Sequence, residues 1–120
     1  MPHQAFNQTR QLYLATDLTV AHTHFSRLRG LLGVSQGDFR NGAGLWIRPC
    51  RGVHTLAMRF PIDVVYLDRA GRVVHLERNL QPWRFSPIRL QANSVLELPT
   101  GTVARTETAI GDSIEIRTKE

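Results

Sequence analysis

The feature that most constrains the fold is a strand–turn–strand pattern in the middle of the chain. Ile62–Leu67 reads IDVVYL, a run of the β-branched and aromatic residues that strands favour. Residues 68–71 follow as a tight turn, in which Gly71 supplies the positive φ that hairpin turns favour. Residues 72–80, RVVHLERNL, return as a second strand. The sequence therefore predicts a β-hairpin at the centre of the fold.

Other strand patterns flank this hairpin, and most are joined by short turns rather than by helices. They lie at residues 11–20, 45–48, 94–98 and 113–117. A short helix capped by Thr23 and ending near Gly33 is expected, with a second helical turn within residues 100–109. About six strands with one or two short helices predict an α+β, predominantly β fold, a small mixed β-barrel that is closed or partly closed.

Length and composition predict one domain over residues 1–120, with residues 1–10 as a flexible tail. No apolar run approaches the roughly 20 residues that a membrane helix needs. The first ten residues, MPHQAFNQTR, do not resemble a secretory signal. We therefore expect a cytoplasmic protein with no membrane partner. The single cysteine, Cys50, cannot form an internal disulfide.

The formal net charge is +5, and arginine supplies nearly all of the positive charge, with Lys119 as the one lysine. Nucleic-acid binding needs basic residues in a cluster, whereas these arginines are scattered along the chain. The pattern favours a solvated surface over a nucleic-acid patch. Arginine also binds carboxylates and phosphates with two parallel hydrogen bonds, so an anionic small ligand or a protein partner fits the composition.

The stretch around Cys50, His54 and Met58 resembles a metal site, because these soft ligands are spaced four residues apart. On a helix they would form one row, but the neighbouring prolines and Gly52 disfavour a helix. In an extended chain, residues four apart lie about 13 Å from each other. We therefore predict an extended run over residues 53–67, with no metal site and no cofactor.

An extended run also places His54 on one face with Leu56, Met58 and Phe60. A histidine on an apolar face is more often a core residue with a satisfied ring than a catalytic base. Both roles stay open at this point, and the adjacent Thr55 belongs to the same candidate site.

Asp63 lies at the end of an apolar row, where burial without a partner would cost several kcal/mol. Arg51 or Arg59 is the expected partner, either in a core ion pair or as part of a ligand-binding site. Asp68 begins a turn, where aspartate is favoured for its bonds to the following backbone, so its role is predicted to be structural.

Glu97 alternates with Leu96 and Leu98 and should face away from the core that these leucines enter. It is then either solvated or on the other side of the barrel beside an arginine. Trp83 lies in a proline-rich loop over residues 81–93, where it either covers the core or lines a ligand pocket.

Four blocks of sequence together resemble a known prokaryotic family, the domain of unknown function 192. They are RGLLG at residues 29–33, GLWIRPCRGVHTLAMRFPIDVVYLDRAGRVV at 44–74, VLELPTG at 95–101 and IGDSIEI at 110–116. The chain is similar to the branch with Pro-Cys and His-Thr, because His54 stands where many relatives carry an asparagine. A role inferred for that asparagine therefore does not transfer to His54. The resemblance implies a small β-rich fold and no established activity.

Three functions follow from these residues. The first is a non-catalytic binding module for an anionic small ligand or a protein partner, with candidate residues Arg51, His54, Thr55, Arg59, Asp63, Trp83 and Glu97. The second is a hydrolase-like enzyme with His54 as base, Asp63 or Glu97 orienting it, and Cys50 as a possible nucleophile. The third is nucleic-acid binding through arginine.

Overall fold

The computed structural model describes residues 3–21, 39–55 and 58–118. The predicted helix from Thr23 to Gly33 lies outside the described residues. Within the described ranges the chain forms seven strands and one short helix. They are β1 (His3–Asn7), β2 (Leu12–Ala21), β3 (Ala43–Ile47), β4 (Ile62–Leu67), β5 (Val73–Leu80), β6 (Ser94–Pro99), α1 (Thr102–Thr106) and β7 (Ile114–Thr118). No helix in these ranges is long and apolar enough to cross a membrane.

The strands form one mixed sheet in the order β5-β4-β6-β3-β2-β1-β7. Among the strands in the described ranges, only the β2–β3 pair is parallel. The sheet curls until its two edge strands meet at one end, through a bridge between Arg72 and Ser113. There the Ile114 N–H donates to the Gly71 carbonyl at 2.8 Å, and the Val73 N–H donates to the Asp112 carbonyl at 2.9 Å. The predicted partly closed, mostly-β barrel is confirmed.

The central hairpin forms as the sequence predicts, with β4 at the predicted bounds. Gly71 has a φ of 81°, and a Cβ there would lie 2.5 Å from the Ile114 carbonyl oxygen, so glycine serves both the turn and the barrel closure. One oxygen of Asp68 accepts hydrogen bonds from the N–H groups of Ala70 and Arg72, both at 2.9 Å. The predicted structural role of Asp68 is confirmed.

The predicted flexible tail over residues 1–10 is wrong for residues 3–7, which form strand β1 between β2 and β7. Ala5 is fully buried in the barrel, and so is Asn7. The Asn7 side-chain amide donates to Asp112 at 3.0 Å and to Thr108 at 3.2 Å. These partners lie about a hundred residues away in the sequence, so local pattern alone did not indicate them.

The sheet is covered on both faces, which gives two separate apolar cores. The barrel core contains Leu14, Val65, Leu96 and Val103. The outer core lies on the other face of the sheet, where β3, β4 and β6 pack against residues of segment 49–61. Its members include Leu45, Cys50, Val53, Met58, Phe60, Val64, Tyr66 and Val95. All six residues of β4 and all six of β6 are therefore buried.

The predicted extended run over residues 53–67 is wrong before β4 begins. The Met58 N–H donates to the Thr55 carbonyl at 3.1 Å, whereas residues three apart in a strand lie about 10 Å from each other. His54 forms an isolated bridge with Phe85 instead of continuing a strand. Prolines and glycines on both sides of this segment break the strand pattern and let loop contacts decide its path.

Candidate functional site

Asp63 lies on the barrel-core face of β4 and is 1% exposed. Its two carboxylate oxygens accept hydrogen bonds from the N–H groups of Asn79 and Val103, each at 2.9 Å. It forms no ion pair with any residue in the described ranges. The predicted partners Arg51 and Arg59 are both exposed, so the expected arginine partner is wrong.

These two backbone donors explain why β4 carries a buried aspartate. Asn79 has a φ of 54° where the pairing of β4 with β5 shifts register, and Val103 lies in the first turn of α1. The N–H groups in the first turn of a helix have no partner within that helix, so the carboxylate satisfies a donor that would otherwise be buried without one. Asp63 is therefore a structural link, and in this geometry it does not orient His54.

Glu97 lies on the opposite face of the sheet from Asp63. Its register neighbours, Leu45 and Val64, both belong to the outer core, and Glu97 itself is fully buried. The prediction that it faces away from the core entered by Leu96 and Leu98 is confirmed. The solvated alternative is wrong, because a second layer of chain covers this face.

Thr55 fastens the long loop over residues 81–93 to the segment beside it. Its hydroxyl lies 2.6 Å from the Gln81 carbonyl and accepts the Arg84 N–H at 2.9 Å. Its backbone N–H donates to the Arg84 carbonyl at 2.8 Å, and its carbonyl accepts the Trp83 N–H at 2.9 Å. Thr55 is fully buried, so these bonds are shielded from water and fix the start of the loop.

The middle of the same loop is fastened to the sheet by a buried serine. Ser86 and Val53 exchange hydrogen bonds, with the Val53 N–H donating to the Ser86 hydroxyl at 2.8 Å and the Ser86 N–H donating to the Val53 carbonyl at 2.9 Å. The Tyr66 hydroxyl lies 2.5 Å from the Ser86 hydroxyl and 2.6 Å from the Pro87 carbonyl. Burial raises the pKa of Tyr66, and the hydrogen bond with Ser86 only partly opposes this. The phenol therefore acts as a neutral donor beneath the loop.

The outward side of the loop carries large apolar side chains along segment 51–54. The ring of Phe85 lies 6.2 Å from that of His54, measured between centroids. Ile88 lies over Gly52, where an added Cβ would come within 3.4 Å of the isoleucine side chain. Leu90 lines a cleft together with Arg51.

Four apolar side chains in this loop remain open to solvent. The exposed fractions are 63% for Trp83, 71% for Phe85, 71% for Ile88 and 80% for Leu90. We call these four side chains, together with Arg51, Arg84 and Arg89, the loop surface; the Arg89 N–H donates to the Arg51 carbonyl at 3.0 Å.

The charges of the loop surface are all of one sign. Residues 49–61 and 81–93 contain these three arginines and Arg59, and no aspartate or glutamate. All four are exposed, and none forms an ion pair with a residue that the structure describes. The loop surface therefore combines exposed apolar side chains with exposed positive charges.

The sequence identified Trp83 but not its three apolar neighbours. Trp83 does not cover the core, since most of its side chain is exposed, and it adopts a φ of 64°, which is unusual for a bulky residue. Phe85, Ile88 and Leu90 follow no helical or strand period, so pattern reasoning did not assign them to either face. The sequence signal that could have indicated their exposure is that these apolar residues alternate with prolines and arginines and form no periodic apolar face.

His54 lies against Phe85 of this surface, and Cys50 lies in the outer core. His54 is half-buried, with its Nδ1 atom shielded from solvent. Cys50 is 5% exposed, and its thiol lies 3.0 Å from the Gly52 carbonyl. Within the described ranges, no group of three or more histidine, cysteine, aspartate or glutamate side chains could hold a metal ion.

By its fold, the protein is a small, partly closed β-barrel. A loop with exposed apolar side chains and arginines is fastened to its outer layer. The family model DUF192, described as an uncharacterized ACR, matches residues 5–116. The chain therefore belongs to the DUF192 family, as its sequence blocks indicated. A UPF0127 protein of Thermococcus sibiricus is 30% identical over 119 residues, which span 95% of this chain and 75% of that protein.

Two solved structures share the fold. A protein of unknown function from Novosphingobium aromaticivorans superposes with a TM-score of 0.78 at 19% identity, covering 96% of this chain and 84% of that one. A second structure, from Sinorhizobium meliloti, has a TM-score of 0.75 at 22% identity and covers 94% and 90% of the two chains. Likeness at this level of identity extends to the fold alone.

Proposed function

We propose that this protein is a non-catalytic binding module that docks an acidic partner protein on the loop surface. The observation that carries the proposal is the 63–80% exposure of four large apolar side chains along a single loop. Exposed apolar side chains gathered in one place, with polar groups around them, are typical of interaction sites. Tryptophan and arginine are also the residues that most often dominate binding energy at protein interfaces.

The loop is held in place before any partner arrives. Thr55, Ser86 and Tyr66 fasten it through buried hydrogen bonds. A surface that is already ordered loses less conformational entropy on binding than a flexible one, so more of the contact energy contributes to affinity. This pre-organisation supports a docking role for the exposed side chains.

The charge of the loop surface supports an acidic partner. The three exposed arginines of the loop surface attract negatively charged partners, speed their association and disfavour basic partners. The aliphatic side chains of Ile88 and Leu90 favour a protein over single-stranded nucleic acid, because bases stack on aromatic rings rather than on aliphatic chains.

The hydrolase alternative is weakened by the position of Asp63. Both of its oxygens are occupied by backbone donors on the barrel-core face, whereas His54 belongs to the layer over the opposite face. The geometry therefore lacks the Asp63–His54 contact that an acid–base pair needs. The hydrolase hypothesis also named Glu97. This carboxylate does lie on the outer-core face of the sheet, the same side as segment 49–61.

The proposal is tested by affinity capture from the native host with quantitative mass spectrometry. The wild-type protein is compared with a Trp83→Ser/Ile88→Ser variant and with Ile110→Ser, a control in which an equally exposed apolar residue outside the loop surface is changed. We expect one acidic protein that is enriched by the wild type and the control, is lost in the double variant, and binds again when both components are purified. Capture of nucleic acid instead of protein, or equal capture by all three proteins, would contradict the proposal.

A further inference from the structure

We infer a second binding site, for a small phosphorylated and hydroxylated metabolite, in a cleft between the β4–β5 turn and the end of the 81–93 loop. The cleft has a volume of ≈ 350 Å³, and its lining includes Arg51, Asp68, Arg69, Gln91 and Asn93. This volume lies in the range of small-molecule pockets.

The cleft is rich in hydrogen-bond donors. Arg51 and Arg69 supply two guanidinium groups, neither of which forms an ion pair within the described part of the chain. Gln91 and Asn93 supply side-chain amides. The backbone N–H groups of Arg69 and Gln91 donate to no acceptor among the described residues. Arginine and backbone N–H groups together are the donors that bind phosphate oxygens.

The carboxylate of Asp68 in the cleft indicates which second group the ligand carries. One oxygen of Asp68 accepts the Ala70 and Arg72 N–H groups, which holds the carboxylate in the turn. Two arginines against one aspartate leave a net positive charge, so an anion is favoured. The second oxygen of Asp68 bonds to no described residue and suits a hydroxyl group on the same ligand.

The floor of the cleft is fixed by backbone hydrogen bonds. The Asn93 N–H donates to the Leu67 carbonyl at 2.7 Å, and the Cys50 N–H donates to the Asn93 carbonyl at 3.0 Å. A neighbouring cleft of ≈ 250 Å³ shares Arg51 and Asn93 and provides room for the remainder of a ligand. The ligand is therefore predicted to place its phosphate at the arginines and a hydroxyl at Asp68.

This site is separate from partner docking, although Arg51 and Leu90 contribute to both. Arg69 lies in the β4–β5 turn and is not part of the loop surface, so its substitution tests the cleft alone. If phosphate does not bind in the cleft, the docking proposal is unaffected. If no partner is captured, the inference of a ligand site in the cleft is unaffected.

The test is an amide NMR titration of the full chain with inorganic phosphate and with glycerol 3-phosphate, using chloride at matched ionic strength as the reference. We expect saturable shifts at Ala70 and Gln91, with tighter binding for glycerol 3-phosphate because it adds hydroxyl groups. Arg69→Gln should weaken binding about tenfold, since a hydrogen bond to a charged group is lost. Arg105→Gln makes the same charge change on α1 and should leave binding unaltered.

Three outcomes would overturn the inference. The shifts could fail to saturate, chloride could produce the same shifts, or Arg69→Gln and Arg105→Gln could weaken binding equally. Equal affinity for inorganic phosphate and glycerol 3-phosphate would overturn the inference that the ligand places a hydroxyl group at Asp68.

Discussion

The Asp63 carboxylate accepts the backbone N–H of Val103, forty residues further along the chain, at a distance of 2.9 Å. Its second oxygen accepts the Asn79 N–H at the same distance. One buried side chain thus joins β4 to α1 and to the irregular end of β5. These two hydrogen bonds explain why an apolar strand contains a buried aspartate, and the explanation needs no role for Asp63 in ligand binding.

Asp63→Asn should therefore destabilise the fold. An amide can accept through only one atom, so one buried N–H group loses its acceptor at a cost of about 1–3 kcal/mol. Urea unfolding measures the change in the free energy of unfolding. Asp17→Asn, at an exposed strand position, is the control and should change this free energy by less than about 0.5 kcal/mol. Equal effects of the two substitutions would contradict the structural role of Asp63.

Acid should weaken the contact between the two ends of the described chain. Burial tends to raise the pKa of Asp112, but hydrogen bonds from Arg10, Asn7 and the Ala109 N–H outweigh it, so the pKa is lowered. A lowered folded-state pKa contributes stability that is present above the unfolded value of about 3.9 and is lost as the pH falls through the folded value.

The difference in unfolding free energy between the wild type and Asp112→Asn should therefore be largest near neutral pH and shrink in acid. Urea unfolding at a series of pH values measures it. A difference that stays constant down to the acid limit of folding would show that the charge of Asp112 does not contribute.

Tyr66→Phe should loosen the 81–93 loop. The substitution removes the hydroxyl that lies against Ser86 and the Pro87 carbonyl, and loss of such a bond costs about 0.5–1.5 kcal/mol. Hydrogen exchange at the Ser86 amide should accelerate, while exchange in β1 stays unchanged. Unaltered exchange at Ser86 would show that the phenol does not fasten the loop.

Trp83→Asn separates a binding role from a structural one. Trp83 has a φ of 64°, a conformation that asparagine tolerates better than a bulky residue, and its side chain packs little. The free energy of unfolding should therefore stay the same or rise by up to about 1 kcal/mol, while capture of the acidic partner is lost. A large loss of stability with capture retained would assign Trp83 to the fold instead.

The sequence predicted the elements whose causes are local. The β4–β5 hairpin depends on strand propensity and on a turn with Gly71 in the required conformation, and both are visible in the letters. Alternation also indicated the correct face for Glu97. It did not show that a second layer of chain buries that face, because such packing depends on distant segments.

Long-range partners account for the errors. Strand β1 is short and mostly polar, and its buried Asn7 binds Asp112, 105 residues away. The sequence indicated arginines as the donors to Asp63, because backbone donors cannot be read from residue types. The exposed Phe85, Ile88 and Leu90 were missed because a loop without periodicity gives no indication of which side chains stay outside.

The loop surface is tested most directly by photocrosslinking in the native host, with benzoylphenylalanine replacing Phe85 in one protein and Ile110 in another. Both positions are exposed, so they are equally accessible to chance encounters. We predict one discrete adduct with an acidic protein at Phe85, no such adduct at Ile110, and loss of the adduct when Arg84→Glu and Arg89→Glu are added. The absence of an adduct at Phe85, or the same adducts at both positions, would contradict the account.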